Sequence, residues 1–240
     1  MRNWIADALV ERMQQLVDQD HLLTKCRDIG VAIHKDLERW CIGSNQITVL
    51  PTLVIVLARN HSETKHPKIR EIIHKNFLDY SGLENVFKEA DACLWCLGIS
   101  QTRVSKEEYF VITHDYAVAA ARAMLAANPV IIFLFLSGQG ADSSEKSRIR
   151  FARVKGQTEN ALRAMNFRKL LIFRPGGIHA VTKGRNLSAQ KKFEAVLVKA
   201  MKVIIPWSVI DTDVLAKAML KSIKEDKGHV IIDHRTIRQL

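Results

Sequence analysis

A chain of 240 residues, 48% hydrophobic and 25% charged, has the size and composition of one globular domain and is not a low-complexity or disordered sequence. Its formal charge of +11 attracts anions. The lysines and arginines are scattered, however, with local concentrations over 183–202 and 217–227 and no basic run interleaved with aromatics, which disfavours nucleic acid as a partner. The longest apolar runs, Leu53 to Ala58 and Val130 to Leu136, fall far short of the roughly 20 residues that cross a bilayer, and the first residues lack the apolar stretch of a secretory signal. No membrane association and a cytoplasmic location are therefore expected.

In chain order, Trp4, Ile5, Ala8, Leu9 and Leu16 have helical spacing, so residues 1–50 are expected to form an atypical helical N-terminal segment. From about residue 52, short apolar runs alternate with helical patterns. Strands are expected at Thr52 to Ala58, Ile69 to His74, Ala92 to Leu97, Val130 to Leu136, Lys169 to Phe173 and His229 to Ile232. Helices are expected at Leu83 to Glu89, Lys106 to Ala127, Ile149 to Ala164, Ala189 to Ile204 and Asp213 to Glu225. Ser105 and Glu108 open the long helix as a capping box, and Asp213 is a candidate cap for its own helix. The alternation predicts an α/β fold, a doubly wound parallel sheet, as one domain over residues 1–240.

Cys93 and Cys96 lie three apart on an expected strand, so they point to opposite faces and cannot share an ion. They read as structural cysteines, and no metal site is expected.

In open α/β sheets ligands sit at the carboxyl ends of the strands, and the candidate residues fall there. Gly30 is either the last glycine of a phosphate-binding turn, with a helix running from it toward Cys41, or the residue that ends the preceding helix. Arg59 follows its strand where an arginine would pair with the extra phosphate of NADP, or is a plain surface residue. Asp79 could contact an adenine edge or simply form a turn. Leu97 and Gly98 would leave room for a ribose or phosphate, and Arg174, Pro175 and Gly176 would wall a nicotinamide pocket. The stretch 179–208, rich in lysine and arginine, would form a small substrate-covering segment suited to an anionic small molecule.

Ser137, followed by Phe151-Ala-Arg-Val-Lys155, has the layout of a Ser plus Tyr-x-x-x-Lys dehydrogenase site with phenylalanine where the tyrosine should be. The serine would orient a carbonyl and the lysine would hold a ribose. A phenyl ring cannot transfer the proton, and the loss of a positioned general acid costs about 10²–10⁴ in rate. Tyr109 and Tyr116, seven apart, could supply a replacement phenol or pack as core aromatics.

Taken together, Asp91-Ala-Cys-Leu-Trp-Cys-Leu-Gly98, Ser137-Gly-Gln-Gly-Ala-Asp142, Ala152-Arg-Val-Lys-Gly156 with Thr158-Glu159, and Phe173-Arg-Pro-Gly176 resemble the atypical short-chain dehydrogenase/reductases, in the NAD(P)-binding, epimerase-like branch of Tat-interacting oxidoreductases. The likeness covers roughly residues 52 to 240 and implies a Rossmann-like fold, NADP or NAD as ligand with NADP slightly favoured by Arg59, and a site around Ser137 and Lys155. A weak oxidoreductase or epimerase is expected, with a non-catalytic scaffold that docks a protein partner through its N-terminal helices as the alternative.

Overall fold

The computed structural model describes residues 29–40, 48–59, 68–179, 208–225 and 228–240, with 29–40 and 48–52 as backbone. Seven strands form one sheet in the order β3-β2-β1-β4-β5-β6-β9. They are β1 (Ile29–Trp40), β2 (Thr48–Ala58), β3 (Ile69–Ile73), β4 (Ala92–Trp95), β5 (Ile132–Leu136), β6 (Lys169–Arg174) and β9 (His229–Asp233). A separate parallel pair joins β7 (Gly177–His179) to β8 (Val209–Asp211). The helices are α1 (Glu84–Lys88), α2 (Lys106–Phe110), α3 (Tyr116–Ala127), α4 (Arg150–Arg163), α5 (Thr212–Lys224) and α6 (His234–Ile237).

The strands are near-continuous apolar runs because both faces of the sheet are covered. Alternate residues divide between two layers. Val54, Val56, Leu94, Leu134, Leu136, Leu171 and Phe173 pack with Leu215, Met219 and Ile223 of α5. Ile55, Leu57, Trp95, Phe133, Phe135, Leu170 and Ile172 pack with Phe87 of α1, Ala120 and Met124 of α3 and Leu162 of α4. Cys93 and Cys96 fall in different layers, both buried. The fold is α/β and Rossmann-like, and no helix among the described residues is long and apolar enough to cross a membrane.

One strand departs from the parallel pattern. β1 forms a hairpin with β2, from Trp40↔Thr48 to Ile29↔Ala58, and is antiparallel to β4 as well, from Val31↔Trp95 to His34↔Ala92. The helix expected to run from Gly30 toward Cys41 is thus a strand. The sequence carries the reason, since Val31, Ile33 and Leu37 alternate with His34, Asp36 and Glu38 at period two, and Val31 and Ile33 are β-branched. The helices expected over 1–28 and at Ala189 to Ile204, and nearly all of the covering segment 179–208, lie outside the described residues.

Smaller differences concern helix ends. Ser105 Oγ accepts a hydrogen bond from the Glu108 N–H at 3.0 Å, as a cap should. The long helix is interrupted at Val111–Asp115 by one π turn, which widens the repeat, so Tyr109 and Tyr116 do not share a face. α5 begins one residue earlier than expected. Asp213 therefore lies in its first turn, where a carboxylate suits the helix dipole, and Asp211 takes the cap position.

Candidate functional site

The carboxyl ends of β2, β4, β5 and β6 form one rim. Ser137 leaves β5 there, held by its N–H donating to Phe173 O at 2.8 Å. Its buried hydroxyl turns inward and donates to Glu159 Oε1. Glu159 is 0% exposed and also accepts from Arg174, whose Nε donates at 3.0 Å and whose Nη2 closes a two-pronged ion pair. Arg174 Nη2 donates further to Ser143 Oγ at 2.9 Å. The Glu159 carboxylate raises the pKa of the guanidinium, chiefly through hydrogen bonding.

Lys155 lies one helical turn before Glu159 on the same face of α4. Its side chain is 7% exposed, and Nζ donates to Leu136 O at 2.9 Å while standing 4.7 Å from the centre of the Phe135 ring. Burial brings its pKa down to about 8, partly countered by Glu159 and Cys96. A further turn back, the tip of the Phe151 ring rests on Gly138, where an added Cβ would stand 2.5 Å from it. The Phe151 N–H donates to Gln101 Oε1 at 3.0 Å, tying the helix start to the loop after β4. Helix α4 can approach the rim this closely because its residue 156 is glycine. A Cβ there would lie 1.7 Å from Asp142 O.

Ser137, Phe151, Lys155 and Arg174 thus gather around the ends of β5 and β6. Arg174 does so through Glu159, a residue that the reading of individual motifs passed over. The signal was available in the spacing, since positions 151, 155 and 159 form one stripe on a helix. Pro175 accepts the Gln139 N–H at 2.7 Å. Gly176 serves backbone packing, because a Cβ would lie 2.4 Å from Ser208 O, and its N–H donates to His234 Nδ1 at 2.9 Å.

Arg59 and Asp79 belong to other groupings. Arg59 packs over the rings of Phe77 and Tyr116, at 5.4 and 5.6 Å, and donates to the Tyr116 hydroxyl at 3.3 Å. Asp79 closes a turn by accepting from the Ser81 N–H at 3.0 Å and the Ser81 hydroxyl at 2.6 Å. Those bonds hold its carboxyl below the usual range. Tyr109 is buried beside Arg150, and burial raises its pKa. Leu97 and Gly98 follow β4 at the rim, half-buried.

Gly30 reaches the same rim from the other direction, at an irregularity between Ile29 and Val31 where β1 begins. In a phosphate-binding turn the strand ends at the glycine and a helix starts, aiming its N–H groups at the pyrophosphate. Here the glycine enters a strand, and no helix starts from it. Among the described residues, Gly30 therefore offers no such cradle.

No family model matches the chain. Protein HTATIP2 of Rattus norvegicus is 27% identical over 107 residues, 43% of each chain. The mitochondrial protein FMP52 of Kluyveromyces lactis is 33% identical over 91 residues, 37% of this chain and 39% of that protein. The match spans about two fifths of the length of these curated relatives. Among solved structures, the UDP-N-acetylglucosamine 4-epimerase of Bacillus cereus superposes with a TM-score of 0.52 at 13% identity, over 77% of this chain and 73% of that one. The Bordetella bronchiseptica enzyme WbmH in complex with NAD+ gives 0.51 at 11% identity, over 71% and 61%. The structural likenesses speak for the fold alone, and the sequence matches are partial likenesses to these two curated proteins.

Proposed function

We propose that the chain binds a nicotinamide dinucleotide at the carboxyl rim of its sheet and is at best a weak oxidoreductase or epimerase. The observation that carries the reading is the stripe Phe151, Lys155 and Glu159 facing the end of β5, with the lysine in place and a phenyl ring where a proton donor is needed. A bound nicotinamide would supply the hydride. Ser137 and Lys155 would orient substrate and ribose, and nothing at position 151 transfers a proton. Arg59, a cation at the end of β2, supports NADP over NAD. Ligand-bearing neighbours are consistent with this class of cofactor, WbmH being solved with NAD+.

Fluorescence titration with NADPH and NADH tests the proposal. Saturable binding is expected, and Arg59→Ala should weaken NADPH about tenfold while leaving NADH nearly unchanged, the loss of one charge-assisted contact. No saturable binding at millimolar cofactor rejects it. Phe151→Tyr should raise reduction of small carbonyls about a hundredfold, the low side of what a general acid contributes.

The reversed β1 favours a second reading, a non-catalytic scaffold that docks a protein partner, because it removes the turn that normally grips phosphate. Phe151→Tyr with cofactor bound and no gain in turnover would support it.

A further inference from the structure

We propose that a groove between the first turns of α2 and α4 is a second binding site, for a small molecule carrying two or more phosphate groups. The groove is about 620 Å³ and is lined by four cations, Lys106, Arg148, Arg150 and Arg153, together with Gln101 and Gln157. No carboxylate is among its lining residues. Glu107 lies near Arg150 and Lys106, and the helix start and Ser105 hold its carboxyl low more strongly than either cation does.

Three features point to an anion here. Four cations on one wall repel one another unless counter-charge is supplied. Arg150 Nη1 is shielded from solvent and has no hydrogen-bond partner among the described residues, a costly state for a guanidinium N–H that a ligand oxygen would relieve. The Arg150 guanidinium is also poised on the Tyr109 ring, 6.0 Å from its centre, which fixes the direction of its fork. Phosphate suits the lining better than carboxylate, because three arginines line it, Arg153 with its Nη1 already donating to Ser147 O at 2.7 Å, and phosphate has oxygens to receive several donors at once.

The volume is that of a small-molecule cleft. Phe110 is the one aromatic in the lining, so the groove lacks the row of rings on which a single-stranded nucleic acid would stack. A second copy of the chain placed symmetrically on this face would set like charges against each other. The site is distinct from the rim, since Lys155 and Glu159 lie on the opposite side of α4 from Arg150, Arg153 and Gln157. The two are joined by Gln101, which lines the groove and accepts the Phe151 N–H.

The test is calorimetric titration of the full chain with inorganic tripolyphosphate. Saturable binding is expected, weakened about tenfold by Arg150→Gln. Lys106→Gln, at an exposed position, should weaken it several-fold and keeps the test decisive if the arginine variant does not fold. Arg163→Gln, at the far end of α4, should leave it unchanged. The proposal is overturned by an absence of saturation at millimolar probe, by an equal loss in Arg163→Gln, or by a short DNA duplex that binds more tightly and loses affinity in the same variants.

Discussion

The two sides of the central sheet are built by different rules. From β4 through β5 and β6 to β9 every strand is parallel to its neighbour. From β3 to β1 the sheet holds one parallel pair and a hairpin, and β1 lies inside the sheet between β2 and β4. Both sides satisfy their backbone ladders, which is all that a sheet requires. A phosphate cradle also requires direction, because only a strand that ends at the rim can hand the chain to a helix whose N–H groups face a ligand. The reversed β1 meets the first condition and not the second. The gathered side chains accordingly lie at the ends of β5 and β6.

The largest effect expected follows from that interior position. Ile33 is paired with Ile55 on one side and Cys93 on the other, so Ile33→Pro removes an N–H and its ladder bond in the middle of the sheet. The lost ladder bond and the ring's strain together should abolish the cooperative urea transition or move it far down. A wild-type urea midpoint would mean that β1 is not paired on both sides within the sheet.

The parallel side was legible because its signals are local. Runs such as Ile132–Leu136 and Lys169–Arg174 are apolar on both faces, and they alternate with helices whose caps and spacing can be read directly. β1 was not read as a strand because an isolated glycine before an apolar stretch suits either a helix entry or a strand entry. The alternation at Val31, Ile33 and Leu37 is broken by Ala32 and Trp40, which leaves a helical period tenable. Its direction was illegible altogether, since it is set by pairing with Ala92–Trp95, far along the chain. At the site, Ser137, Phe151 and Lys155 were found by their spacing. The role of Glu159 needed the fold, because its partners, Ser137 and Arg174, come from two different strand ends.

Removing that carboxylate sharpens the contrast on the parallel side. Glu159→Ala leaves the Arg174 guanidinium and the Ser137 hydroxyl without their acceptor. Breaking a fully buried pair costs about 3–5 kcal/mol, but Arg174 keeps 21% of its side chain exposed and can recover some hydration. A loss of about 2 kcal/mol is expected in urea unfolding, with Glu159→Gln losing about half as much because the amide oxygen still accepts. An unchanged midpoint in both variants would dissolve the network described around β5 and β6.

The smallest effect concerns pH and reads Lys155 directly. Its pKa is 10.5 in the unfolded reference and about 8 in the folded chain, mainly through burial. Between those values the unfolded chain binds a proton that the native chain does not, so stability rises as pH increases from 8, by up to about 1.4 kcal/mol per unit. Below pH 8 the folded lysine is charged and the penalty is fully present. Buried thiols work in the opposite sense. The pKa of Cys96 is pushed up to about 12, and that of Cys93 well above its ordinary value of 9.0, so the unfolded chain loses protons first and stability falls from about pH 9 upward. Lys155 alone would raise stability by about 1 kcal/mol from pH 8 to 9, and the two thiols offset most of that, so urea midpoints should climb by only a few tenths of a kcal/mol over this interval and then turn over. Lys155→Met keeps the volume and removes the titration, so the climb should vanish and the fall remain. A climb that survives the substitution would show that another group carries it, and that the Lys155 amine is not held away from water beneath the rim.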